Sequence, residues 1–359
     1  MARRTIIPFG PQHPVFPEPL QLRLVLEDEK VVEALPAMGY CHRGIEKLAE
    51  KKDYQQDVYL IERICGICSF MHGMNYCQGI EELMNVTVPD RARYLRVIWA
   101  ELHRMHSHLL ILGLTADAFG FENLFMQLWR AREALLDVLE KTSGQRILLT
   151  TVAIGGVRRD IPRELLDEIR RMLDTVEQQL ADVMPSLLND YSVKKRLCKV
   201  GVLPTEKARE FGAVGPVARA SGVEMDLRET GYAAYGDLGF APVTETAGDS
   251  YARVLVRARE LNTSADLVRR AIERIPEGPI AIPVKGNPDG EVAARIEQPR
   301  GELIFYIKGN GTKNLARFRA RMPTFANLAP LLHMLQGCQL ADVPVIVLSI
   351  DPCISCTER

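Results

Sequence analysis

The sequence predicts a mainly α protein: a central bundle of long helices, with small α+β parts formed from the N- and C-terminal segments. Three observations carry this. Apolar residues recur at helical spacing over long stretches from about Arg43 onward. Before that point apolar and polar residues alternate, and Pro and Gly cluster near the start. After residue 280 the pattern returns to short, mixed elements. The implied division is a strand-rich segment over 1–42, a helical bundle over 43–280 and a C-terminal α+β segment over 281–359.

Pro8-Phe9-Gly10-Pro11-Gln12-His13-Pro14 is too rich in Pro for a regular element, because Pro lacks the backbone donor. Leu20–Glu27 alternates as a half-buried strand does. Asp90 is a plausible cap after Pro89 for a helix reaching Gly120, with Tyr94, Ile98, Leu102, Met105 and Leu109 on one face. Further helices are predicted over 122–141, from Pro162 to about Leu188, and over 247–275. The last has Arg253, Arg257, Glu260, Arg269 and Glu273 opposite its apolar stripe. A strand at Leu303–Ile307, a helix at Phe325–Leu335 and a buried strand at Val343–Ile350 complete the reading.

The chain has 359 residues, 47% hydrophobic and 25% charged, with 45 basic against 46 acidic side chains. This excludes a disordered or fibrous chain, and a formal charge of -1 offers nucleic acid no electrostatic footprint. No apolar run is long enough to span a bilayer. The basic opening Met1-Ala2-Arg3-Arg4 lacks an apolar continuation, so no signal peptide is expected. Eight cysteines are too sparse for a disulfide scaffold and are expected as reduced thiols available to metals.

Four of those cysteines form two CxxC pairs, Cys65-Gly66-Ile67-Cys68 and Cys353-Ile354-Ser355-Cys356, at opposite ends of the chain. A CxxC turn brings two sulfurs to one side, and two pairs supply four thiolates. Zinc ribbons place their knuckles close together to staple a small fold, whereas here a self-sufficient bundle separates the pairs. Spacing alone leaves zinc, iron–sulfur and other transition-metal sites equally open.

The flanking residues are more specific. Glu62-Arg63-Ile64-Cys65-Gly66-Ile67-Cys68-Ser69-Phe70-Met71-His72 and Asp351-Pro352-Cys353-Ile354-Ser355-Cys356-Thr357-Glu358-Arg359 together resemble the paired signatures of the large, catalytic subunit of nickel–iron hydrogenases. The ending resembles the energy-converting, membrane-associated branch, which includes the Ech and carbon-monoxide-induced enzymes. Gly10-Pro11-Gln12-His13-Pro14 is shared with the related quinone-binding subunit of respiratory complex I. The resemblance extends from Pro8 to Arg359.

It implies reversible heterolytic cleavage and formation of hydrogen at a nickel–iron centre whose iron carries carbon monoxide and cyanide. All four thiolates would bind nickel, Cys65 and Cys353 terminally, with Cys68 and Cys356 bridging to iron. Glu18, between Pro17 and Pro19, matches the family's proton-accepting glutamate. Arg300 matches an arginine held above the open metal position, and Pro323-Thr324 a dipeptide contacting cyanide. Asp351 and Asp117 are candidate outer carboxylates, and His72 would hydrogen-bond a bridging sulfur. Glu46 matches a magnesium ligand, but the family's metal-binding terminal His is here Arg359. Arginine cannot ligate magnesium, so either the ion is absent or the guanidinium replaces it beside Glu46; replacement is the favoured reading, with magnesium at Glu46 kept as the alternative.

His103, His106 and His108 lack HExxH geometry and are read as packing and polar contacts. Cys41, Cys77, Cys198 and Cys338 are read as small buried residues. The resemblance further implies a small subunit with an iron–sulfur cluster, additional iron–sulfur and membrane subunits, a ferredoxin-type donor, maturation proteins and a peripheral position on the cytoplasmic side of the membrane. The competing readings are a non-catalytic complex I-like subunit and a simple zinc protein. The retained thiols, and the absence of a second His soon after His13-Pro14, favour the enzyme.

Overall fold

A computed structural model describes residues 4–359, so the first three residues of the basic opening lie outside it. About 51% of the chain is helical and 15% is in strands, which places it among mainly α folds in the coarse sense. At the amino end, β1 (Arg4–Phe9), β2 (Gln21–Glu27) and β3 (Lys30–Ala37) form an antiparallel sheet. Short helices α1 (Ile45–Ala49) and α2 (Asp57–Glu62) lead to α3 (Ser69–Leu83). The long helices α4 (Asp90–Ala118) and α5 (Glu122–Ser143) follow, then the two-residue strands β4 (Val152–Ala153) and β5 (Gly156–Val157).

The remaining bundle comprises α6 (Arg163–Asn189), α7 (Tyr191–Leu197), α8 (Thr205–Glu210), α9 (Gly215–Arg219), α10 (Tyr235–Leu238) and α11 (Ser250–Arg274). A second antiparallel sheet is built from β6 (Asp289–Gln298), β7 (Gly301–Asn310) and β8 (Arg317–Arg321). The chain ends in α12 (Pro323–Ala326), α13 (Leu328–Leu335), α14 (Val343–Ser349) and α15 (Ile354–Glu358).

Two cores position the metal-binding candidates. The larger joins α3, α4, α5, α6 and α11 to the inner face of the second sheet. There α3 lies flat on β6 and β7, since a side chain at Gly79 would meet Ile307 and Ala294 at 2.7 and 3.0 Å. The smaller packs Leu20, Leu22, Leu24 and Val31 of the amino-terminal sheet against Leu331, Leu335, Val343, Ile346 and Ile350 near the carboxyl end. Burying each such side chain contributes about 1.5–3 kcal/mol, enough in sum to hold the two chain ends together.

Several sequence expectations change. Val343–Ile350 is a helix, not a strand: Pro344 starts it without needing a donor, and burial on nearly all sides against α4, α11 and α13 overrides the β-branched composition. Asp90 does not cap α4 but pairs with Arg93 at 2.7 Å inside the first turn. The Phe325–Leu335 helix is split at Asn327, whose side chain bonds both backbone groups of Val214. On α11 the face opposite the apolar stripe is mostly interior, because Arg253, Arg257 and Glu260 are fully buried. Of the four unpaired cysteines only Cys77 is buried; Cys41, Cys198 and Cys338 are half-buried.

Candidate metal centre

The two CxxC pairs meet. Cys65 lies in the turn after α2 and Cys68 immediately precedes α3, while Cys353 and Cys356 flank the start of α15. Cys65 Sγ lies 3.3 Å from Cys353 Sγ, and Cys68 Sγ lies 3.4 Å from Cys356 Sγ. The sulfurs of Cys65, Cys68 and Cys356 are all within 4.8 Å of one another, and all four residues are buried. Hydrogen bonding from the neighbouring thiols holds Cys65 well below the usual thiol range, while burial holds Cys68 and Cys356 well above it. A cation at their centre reverses that burial penalty, because thiolate rather than thiol is the ligand.

The turns are pinned by partners from distant parts of the chain. Arg43 donates to Arg63 O at 3.0 Å, Ile64 O at 2.8 Å and Ser355 O at 2.9 Å, so one guanidinium clamps both cysteine turns. Thr324 Oγ1 accepts from Cys353 N at 3.1 Å, and buried Pro323 starts the helix that presents it. Glu358 accepts from Gly39 N and Cys41 N, tying the carboxyl end to the loop after β3. Sequence reasoning missed Arg43 and Glu358, because bonds to backbone groups leave no spacing signature.

His72 Nε2 sits 3.2 Å from Cys68 Sγ and 3.4 Å from Cys356 Sγ, and its ring stacks on Phe305 of β7 at 6.0 Å. Burial lowers its pKa to about 4, so the ring is neutral at physiological pH. Arg300 is locked to Asp351, with Nη2 to Oδ1 at 2.9 Å and Nε to the backbone oxygen at 2.9 Å. Arg300 Nη1, Asp351 Oδ2 and His72 Nδ1 are buried without partners, leaving polar atoms around the sulfurs to meet a further group. Asp351 reaches this position through a left-handed backbone, φ 55°.

A cavity of about 220 Å³ opens beside Cys353, lined by Glu18, Ile67, Leu110, Ile111, Leu114 and Leu348 among others. Glu18 is fixed there by Ile354 N, Ser355 N at 3.0 Å and the Ser355 hydroxyl. Asp117 does not belong to this site. It is exposed near the end of α4, three residues beyond Leu114, the last residue of that helix to line the cavity. The three histidines of α4 make the polar contacts expected of them: His103 to Ile147 O, His106 to Ile67 O and His108 to Glu260.

The donor set fits a soft, thiolate-bound metal centre: four buried sulfurs, a neutral imidazole on two of them and unpartnered polar atoms alongside. Magnesium at Glu46 does not fit. Its Oε1 already accepts from Ala320 N at 2.9 Å and Arg359 Nε at 2.8 Å, and its Oε2 pairs with Arg319 at 2.6 Å. Both Glu46 oxygens are thus taken by the chain's own donors, one of them the Arg359 guanidinium.

Comparison with known proteins places these features in context. The family model described as nickel-dependent hydrogenase matches residues 43–112. That of the respiratory-chain NADH dehydrogenase 49 kDa subunit matches 119–287 and 283–359. The membrane-bound hydrogenase subunit alpha of Pyrococcus furiosus is 42% identical, over 98% of this chain and 87% of the relative. The carbon monoxide-induced hydrogenase of Rhodospirillum rubrum is 41% identical, over 98% and 99%. An NADH-quinone oxidoreductase subunit of Dehalococcoides mccartyi is 38% identical, over 96% of both chains.

Proposed function

Since this chain belongs to the family that joins the large subunits of energy-converting nickel–iron hydrogenases to the 49 kDa subunit of respiratory complex I, we propose that it is a hydrogenase catalytic subunit. The reaction is reversible heterolysis of hydrogen to two protons and two electrons, run towards evolution from a ferredoxin-type donor and coupled to ion movement by membrane partners. The observation that carries this reading is the convergence of four buried thiols from opposite chain ends. A quinone site has no use for them, which disfavours the complex I-like alternative.

Cys65, Cys68, Cys353 and Cys356 would hold a nickel–iron centre, with Cys68 and Cys356 shared between the metals. When bound, that centre supplies a Lewis acid for the hydridic half of hydrogen, and iron-bound carbon monoxide and cyanide tune it. The chain's own residues do the rest. Ile67, Leu110, Ile111, Leu114 and Leu348 give the cavity an apolar side suited to a small apolar molecule, while Glu18, Arg300 and Asp351 line its polar side. Arg300, held rigid by Asp351, points a permanent cation into the site. Thr324 positions Cys353, and neutral His72 sets Nε2 against the sulfurs of Cys68 and Cys356, where it would hydrogen-bond thiolates that held the centre. Glu18, anchored by the backbone just after Cys353, receives the proton and passes it outward.

Electrons need a route beyond this chain. Among the described residues only Cys65, Cys68 and Cys356 group as a cysteine metal site, so an iron–sulfur partner subunit is part of the proposal. No helix of the described residues is long and apolar enough to cross a membrane, so membrane attachment would be through partners. The deciding experiment is infrared spectroscopy of the purified complex in the metal-carbonyl region, paired with nickel analysis. Carbonyl and cyanide bands with stoichiometric nickel support the proposal; zinc without nickel and no such bands overturns it.

A further inference from the structure

Behind the metal centre lies a cluster of ionised side chains that the reaction above does not use. Glu101, Arg104 and His108 come from α4, Arg219 from α9, Asp226 and Arg228 from the following loop, Glu260 from α11 and Glu297 from β6, each at most 3% exposed. Arg219 bonds Glu260 Oε1 at 2.7 Å and Glu297 Oε1 at 2.7 Å, and also reaches Asp226 at 3.1 Å. Arg228 takes Asp226 with two nitrogens, at 3.0 and 2.7 Å, and Glu101 with a third at 3.2 Å. Arg104 pairs with Glu101 at 3.2 Å and donates to Glu297 O at 2.7 Å. His108 Nε2 meets Glu260 at 2.8 Å.

Three guanidiniums bond these four carboxylates directly, and a fourth, Arg257, lies one turn before Glu260 with its bonds on backbone oxygens. Burial pushes the His108 imidazole down, so it adds no further cation. A buried carboxylate without enough charge-assisted bonds is costly to keep ionised, so the least well served of the four is the one that takes a proton most readily. Glu101 is met by two arginines, Tyr235 and Ser264. Asp226 and Glu260 each receive several charge-assisted bonds. Glu297 is the poorest served: one oxygen shares an Arg219 nitrogen with Asp226, and the other accepts only from Leu227 N at 3.3 Å.

Glu297 is also wired to the metal centre. It lies three positions before Arg300, which sits in the tight turn between β6 and β7. The start of α9, the helix carrying Arg219, touches that turn: a side chain at Gly215 would meet Arg300 O at 2.4 Å. On α11, Arg257 lies one turn before Glu260 and donates to Ser349 O at 2.8 Å, two residues from Asp351. Charge or movement at Arg300–Asp351 thus reaches the cluster through three elements.

We propose that Glu297 holds an exchangeable proton whose occupancy follows the charge of the metal centre. Each electron added there favours the carboxylic acid over the carboxylate; the O–H bond forms with a proton from solvent water and breaks again on oxidation, returning it. The groups facing Glu297 are Arg219 and Asp226, with Arg104 and the Tyr232 hydroxyl at its backbone. Burial, aided by Asp226, pushes this carboxyl up to about 7, where a small change in nearby charge moves its proton. The coupling half rests on the hydrogenase reading; the proton-holding half does not.

The test is infrared spectroscopy of the purified complex in the carboxylic-acid C=O region, in water and deuterium oxide, for the wild type, Glu297→Gln and Glu297→Asp. Beyond the bands of Asp57 and Glu62, which all three proteins share, the wild type should show a deuterium-sensitive band that loses half its amplitude near pH 7, is missing from Glu297→Gln and is shifted in Glu297→Asp. Reduction by hydrogen should increase the band. Persistence of the unshifted band in either variant, or no titrating band in the wild type, overturns the proposal. A band that titrates but ignores reduction, while the metal-carbonyl bands respond, removes the coupling. Absence of those metal bands strikes the hydrogenase reading instead, and the pH titration still judges Glu297.

Discussion

The last residue of the chain closes a link that begins near its start: Arg359 Nε bonds Glu46 Oε1 at 2.8 Å, with Arg319 on the other carboxylate oxygen. The link holds α15, and with it Cys353 and Cys356, against α1 and β8. Purified protein should therefore contain less than stoichiometric magnesium. Arg359→Ala should lower stability by about 1 kcal/mol, as for a partly exposed charge pair, and added magnesium should not restore it. Magnesium retained one-to-one through dialysis would contradict this.

Glu18→Gln keeps the size of the side chain but removes its proton-accepting power. Hydrogen–deuterium exchange catalysed by the complex should drop by about 10²–10⁴-fold, while nickel content and metal-carbonyl bands stay unchanged. Wild-type exchange in that variant would transfer the proton route to another group.

Asp57 is fully buried, with both carboxylate oxygens unpartnered, and burial raises it to about 8; burial likewise raises Glu62 to about 7. Both bind protons in the folded chain at pH values where the unfolded carboxyls, near about 4, have lost them. Folding is therefore favoured at low pH, and stability falls as pH rises from about 4 through about 8. Denaturant unfolding at a series of pH values should show this slope, and Asp57→Asn should flatten its upper part. An unchanged slope would mean that Asp57 is ionised in the folded state.

Glu101 holds Arg104 and Arg228 apart by bonding both. Glu101→Ala strands two buried guanidiniums and should cost about 3–5 kcal/mol in chemical unfolding. A loss below about 1 kcal/mol would indicate that water enters and solvates them.

Much of the candidate site was legible in the chain itself, because metal ligation demands particular side chains at short spacings. The two CxxC pairs, His72 four residues after Cys68, and Arg300, Asp351 and Thr324 converge around one cluster of sulfurs. Asp117 was misplaced because a two-residue match does not tell how far along a long helix the cavity reaches: Leu110 and Leu114 line it, and Asp117, further along the same stripe, is exposed. Arg43, which clamps three carbonyls, was invisible for a related reason: backbone partners carry no side-chain identity.

Periodicity specified the long helices, since an apolar stripe at helical spacing has few other ways to be buried. Packing between distant elements settled the rest. Val343–Ser349 became a helix because helices enclose it on several sides. Arg253, Arg257 and Glu260 went inside because other elements supplied their partners, something no window of sequence displays. Residue order alone established which atoms were available to bind a metal. Folding was needed to bring four sulfurs from the two chain ends into one enclosed space, because that meeting depends on two cores packing at once.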